Sequence, residues 1–137
     1  MVEKRSIPVL FTATEIKDRL EGVAAEIAAK MPGDFLIVAL LRGSFMFTAD
    51  LVRELCAVGG HPQIDFMTLS SYGSGTQSSG QVVMGGDVVD DLQGRHVLIV
   101  DDILETGRTL RYAHDLMIER GAADVKIAVL LEKPGKL

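Results

Sequence analysis

Asp101 and Asp102 stand side by side between an apolar run, Val97-Leu98-Ile99-Val100, and a polar turn that ends in Glu105-Thr106-Gly107-Arg108-Thr109. Adjacent carboxylates can take the hydroxyls of a sugar, or a metal ion bound to those hydroxyls. The turn offers backbone N–H groups, two hydroxyls and a flexible glycine at the start of a helix, and helix starts favour phosphate. A sugar phosphate satisfies both halves. Three of the four apolar residues are β-branched, so the run reads as a strand covered on both faces. The acids then fall where that strand leaves the sheet, the place where open α/β sheets bind ligands. A receiver domain also sets an acidic pair after a strand, but near its N-terminus. Here the pair lies late in the chain, before a Thr-Gly turn.

The elements that must position these residues follow the order α-β-α-β-loop-β-β-α-β. Thr12 with Glu15 forms a capping-box pattern, and Ile16, Leu20, Val23 and Ile27 recur at helical spacing to about Lys30, where Pro32-Gly33 ends the helix. Phe35 to Leu41 is a buried strand, and Ser44 to Val58 a helix closed by Gly59-Gly60. Gln63 to Ser70 alternates as a strand through Ile64, Phe66 and Leu69. Ser70 to Gly80 is too rich in Gly and Ser to pack and reads as a loop. Gln81 to Val88 is a weaker strand interrupted by Gly85-Gly86, and Asp91 to Gly94 is a turn. Arg108 to Arg120 is helical with Gly121 as its cap, and Val125 to Leu131 is the last strand. Strands alternating with helices predict a parallel sheet covered on both sides.

The 137 residues amount to one domain, with 47% hydrophobic residues and a mean hydropathy of +0.26 that favour a compact globule over disorder. No apolar run reaches membrane-spanning length, and Met1 to Arg5 lacks the apolar core of a secretory signal, so a cytoplasmic protein without membrane partners is expected. The single cysteine, Cys56, reads as a small buried hydrophobe, and three scattered histidines argue against a structural zinc site. A net charge of -5 argues against a nucleic-acid partner, which needs a basic face. Phosphates must then be met by backbone N–H groups, a few basic residues and a metal.

The thirteen residues from Val97 to Thr109 resemble the signature with which type I phosphoribosyltransferases bind 5-phosphoribosyl 1-pyrophosphate (PRPP). The resemblance implies an α/β fold of that type: a Rossmann-like, mostly parallel sheet with helices on both faces. It assigns Asp101 and Asp102 to the ribose hydroxyls and their Mg²⁺, with Asp101 standing where the family more often has Glu. It assigns Thr106, Gly107, Arg108 and Thr109 to the 5′-phosphate. Glu105 occupies the position of the family's usual Asp, the general base that takes the proton from purine N7; one methylene longer, it must fold back to keep hydrogen-bond distance.

Three further segments resemble the hypoxanthine-guanine branch of that family. Leu40-Leu41-Arg42-Gly43 matches the turn that holds pyrophosphate, with Arg42 in place of the usual Lys; arginine keeps the charge and adds a planar fork. Ser71-Tyr72 matches the catalytic lid, which excludes water from an oxocarbenium-like centre. Leu130 to Pro134 matches the strand end whose lysine contacts the exocyclic oxygen of the purine. That places Lys133 there, and a lysine donates without accepting, which favours a 6-oxopurine over adenine.

Family members continue past this lysine with an aromatic residue that stacks on the purine and a further Asp for a second Mg²⁺. Residues 1–137 therefore read as a single domain, C-terminally truncated relative to the family, with the base pocket incomplete or completed by a partner. The resemblance implies purine salvage: transfer of phosphoribose from PRPP to hypoxanthine or guanine, by a homo-oligomer of two or four subunits. The segments Ser44 to Val58 and Gln63 to Ser70 could supply subunit contacts. A xanthine or pyrimidine phosphoribosyltransferase, or a PRPP-binding regulator, stay open as alternatives.

Overall fold

The computed structural model describes residues 12–31, 34–41, 43–71, 82–88, 90–104 and 107–132. Arg42, Tyr72, Glu105, Thr106, Lys133, the Pro32-Gly33 helix stop and most of the Gly/Ser loop lie outside the described residues. The elements are α1 (Ala13–Lys30), β1 (Leu36–Leu41), α2 (Phe45–Ala57), β2 (Gln63–Ser71), β3 (Val82–Gly86), β4 (His96–Leu104), α3 (Arg108–Glu119) and β5 (Asp124–Glu132).

They build a five-stranded sheet of order β3-β2-β1-β4-β5, in which β1, β2, β4 and β5 run parallel and β3 is antiparallel to β2. Alternation along each strand sorts the core into two layers. Ile37, Leu98 and Val100 pack with Leu20, Ile27, Phe47, Leu51 and Leu55 of α1 and α2. On the opposite face Leu36, Val38, Val97 and Ile99 pack with Leu110, Ala113 and Met117 of α3. Val97 to Val100 are buried on both sides, and each such side chain contributes roughly 1.5–3 kcal/mol.

The helix ends match their sequence signals. Thr12 accepts from the Glu15 N–H at 3.1 Å while the Thr12 N–H donates to Glu15 at 2.8 Å, the reciprocal capping box. Gly121, just past α3, has φ +96°, a conformation that costs a β-carbon dearly. Three residues fall elsewhere than expected. Cys56 is exposed, because one position beyond Leu55 the helix has turned about 100° away from the core. Ile64 and Phe66 do not share the buried face of Leu69; Met67 and Leu69 are buried, and the other two stand 39% and 43% exposed at the uncovered β2 side of the sheet. The expected interruption of β3 at Gly85-Gly86 is present: the strand ends at Gly86, and its register shifts at Gly85, with Gly86 opposite Thr68 and Met84 opposite Leu69.

Arg120, at the end of α3, donates to both oxygens of Asp87, just past β3, at 2.7 and 2.6 Å. This fork ties α3 to the β2–β3 pair, and it holds the Asp87 carboxyl below the usual carboxylate range. Both partners keep about a third of their surface in water, so Arg120→Ala should cost only about 1 kcal/mol at neutral pH. A lowered carboxylate contributes above its unfolded pKa and loses that contribution as pH falls through the folded value. The gap between wild type and variant in urea unfolding should therefore close as the pH drops below about 4.

Candidate active site

The acidic pair does not mark the exit from the sheet that its residue types suggest. The ladder from β4 to β1 ends at Ala39 opposite Val100, but the ladder to β5 continues with Asp101 opposite Val129, Ile103 opposite Leu131 and Leu104 opposite Glu132. Asp101 thus leaves β1 while staying paired with β5, and Asp102 lies between paired positions of the same strand. Beyond Ala39 and Val100 lies the point at which β1 and β4 part. It is also where the strand order reverses, since α2 carries the chain from β1 to β2 on one side and α3 carries it from β4 to β5 on the other. Such a switch point is the general ligand crevice of open α/β sheets.

Period-2 alternation sends Asp102 to the α2 side, with Leu98 and Val100, and Asp101 to the α3 side, with Val97 and Ile99. Both are half-buried. The Asp102 N–H donates to Asp101 Oδ1 at 2.8 Å. Burial pushes the Asp101 carboxyl up to about 6; the Asp102 amide draws it back down, and the Asp102 carboxylate raises it further. An Asp101 carboxyl that burial and its neighbour hold back from ionising gains from a cation beside it.

Gly43, between β1 and α2, lies against this pair. A β-carbon at Gly43 would overlap Asp102 Oδ2 and stand 3.0 Å from its Cγ. At the start of α3 Gly107 takes φ +80° and ψ -1° in the N-cap position, with no side-chain cap. The left-handed conformation is what glycine supplies there at little steric cost. Arg108 is exposed and Thr109 half-buried in the first turn of α3. Asp101, Asp102 and Gly43 are thus brought together, with Gly107, Arg108 and Thr109 at the start of the helix that follows β4. Ser71 is the last residue of β2.

The sequence reading passed over Ser44. It is fully buried beside Gly43, and its hydroxyl donates to the Leu40 carbonyl at 2.5 Å. A serine before a helix reads as an ordinary N-cap, so no sequence signal distinguished it.

The family model for the phosphoribosyl transferase domain matches residues 12–137. The chain belongs to the phosphoribosyltransferase family. It is similar to the hypoxanthine-guanine phosphoribosyltransferase of Streptococcus pneumoniae, 42% identical over 98% of this chain and 73% of that protein. The hypoxanthine phosphoribosyltransferase of Escherichia coli is 38% identical over 97% of this chain and 75% of its own length. Among solved structures, a hypoxanthine phosphoribosyltransferase from Trypanosoma cruzi in complex with IMP matches with a TM-score of 0.85 and 38% identity, covering 99% of this chain and 76% of that one. The mostly parallel sheet with helices on both faces is accordingly the phosphoribosyltransferase fold.

Within this family frame the acidic pair carries a direct test. Asp102→Asn keeps the shape and removes one charge-assisted contact, which should weaken PRPP binding by about 1.5–3 kcal/mol in a calorimetric titration with Mg²⁺. Unchanged affinity would take the pair out of substrate binding.

Proposed function

We propose that this chain transfers the phosphoribosyl group of PRPP to hypoxanthine, and to guanine, releasing pyrophosphate and forming IMP or GMP in purine salvage. The observation that carries this reading is the approach of Gly43 to Asp102 at the switch point. It sets the turn proposed for pyrophosphate beside the acids proposed for ribose, as a substrate with both groups requires. Kinship at about 40% identity with enzymes of that name supports the choice of base.

Asp101 and Asp102 would hold the ribose hydroxyls and Mg²⁺. Mg²⁺ commonly binds through one or two carboxylates plus substrate phosphates, and the raised Asp101 carboxyl beside Asp102 fits that donor set. Mg²⁺ bound there supplies positive charge against the departing pyrophosphate. The 5′-phosphate meets the backbone N–H groups and hydroxyls of Thr106, Gly107, Arg108 and Thr109 at the α3 N-terminus. Arg42 and Gly43 take the pyrophosphate. As the bond from ribose C1′ to pyrophosphate oxygen breaks and the bond to the purine nitrogen forms, Glu105 accepts the proton released from N7. Ser71 and Tyr72 close over this centre. Lys133 donates to the oxygen at purine C6.

Among the described residues no helix is long and apolar enough to cross a membrane. We place the protein in the cytoplasm, as a homo-oligomer of two or four subunits. Phe45 and Met46 on α2 and Ile64 and Phe66 on β2 stand exposed and support such contacts.

The test is a calorimetric titration of PRPP with Mg²⁺, followed by assays with hypoxanthine, guanine, xanthine, adenine and uracil. Hypoxanthine should exceed adenine in kcat/KM by about ten- to a hundredfold, since Lys133 facing an amino group loses one charge-assisted hydrogen bond. Equal values would remove Lys133 from base selection. PRPP binding with no transfer to any base would favour a regulator.

A further inference from the structure

Helix α1, remote from the acids, opens on a complete capping box, whereas α2 opens with no side-chain cap. Ser44 holds the N-cap position of α2, where a serine ordinarily accepts a hydrogen bond from an amide of the first turn. Its hydroxyl instead donates backwards to the Leu40 carbonyl at 2.5 Å, in a fully buried setting. The Ser44 carbonyl accepts the Thr48 N–H at 2.8 Å, so this residue is fixed to β1 on one side and to α2 on the other. Gly43 lies inside the loop so closed, against Asp102.

We infer that Ser44 is a positioning residue for the pyrophosphate end of the substrate: its bond to Leu40 holds Gly43 beside Asp102. The inference rests on the phosphoribosyl transfer proposed above. A serine whose hydroxyl capped α2 would give up the Leu40 carbonyl and release the turn. Thr48 supplies an internal control. It is a second buried hydroxyl one helical turn further on, with no hydrogen-bond partner among the described residues, and it does not tie the turn.

The affinities of the 137-residue chain for pyrophosphate and for IMP, each with Mg²⁺, separate the roles by calorimetry, because IMP carries no pyrophosphate. Ser44→Ala should weaken pyrophosphate about tenfold, the effect of one lost buried hydrogen bond, and leave IMP within about twofold. Thr48→Val should leave both within about twofold. If Ser44→Ala does not fold, Ser44→Cys keeps the volume, loses the strong donor and carries the same expectation. Equal weakening of both ligands would reduce Ser44 to a general structural role and overturn the inference, as would unchanged pyrophosphate affinity. A wild-type chain that binds neither ligand would overturn the proposed function itself, and this inference with it.

Discussion

Glu105→Gln should lower turnover by about 10²- to 10⁴-fold while PRPP still binds, because general-base work typically supplies that much. Glutamine keeps the side-chain length and the acceptor oxygen but cannot take a proton. The loss should therefore fall on kcat and spare the calorimetric affinity for PRPP. It should also flatten the acidic limb of the pH–rate profile, where the wild-type base becomes protonated. Turnover near wild type across the pH range would place the base elsewhere.

Gly43→Ala should raise the KM for PRPP by about 10²-fold, since displacing a positioned group by roughly 1 Å can cost that much. The reason is space rather than backbone freedom. The added methyl would overlap Asp102 Oδ2, and the nearest relief is to move the carboxylate or the turn. Either movement separates the proposed pyrophosphate turn from the proposed ribose acids. Asp102→Ala placed on Gly43→Ala should recover stability but not PRPP affinity, because it removes the clash by removing the ligand. Steady-state kinetics on the two variants, with thermal unfolding alongside, would test both parts. A Gly43→Ala chain with unchanged KM would show that the two groups need not touch.

Much of this architecture was legible because local and global signals agree. Val97 to Val100 could only be a strand buried on both faces, and Thr12, Glu15, Gly59 and Gly121 marked helix ends through caps and left-handed turns that few other residues serve. What was not legible depended on neighbours far along the chain. Asp101 and Asp102 looked like an exit from the sheet because carboxylates are poor strand residues, yet Asp101 pairs with Val129 of β5 and β4 runs on to Leu104. Cys56 sat within an apolar helical pattern, and a single step around the helix decided its exposure. Ile64 and Phe66 carried a strand signal without saying which face a helix would cover. Ser44 had the right type for a cap, and only the position of the Leu40 carbonyl revealed a different partner. The candidate site was legible as residue types in a row. That Gly43 would meet Asp102 across 58 intervening positions in sequence was not.

The parting of β4 from β1 at Val100 has a mechanical meaning. Beyond that point β4 and β5 form a two-strand ribbon that carries the acids proposed for ribose, and Lys133, proposed for the base, directly follows the ribbon's last residue. The turn proposed for pyrophosphate sits on the other prong of the fork, at the end of β1. On that proposal the bond to be broken spans the two prongs, with the pyrophosphate turn on one and the ribose-holding acids on the other. On the same proposal, the line along which β4 parts from β1 is the line along which the substrate comes apart.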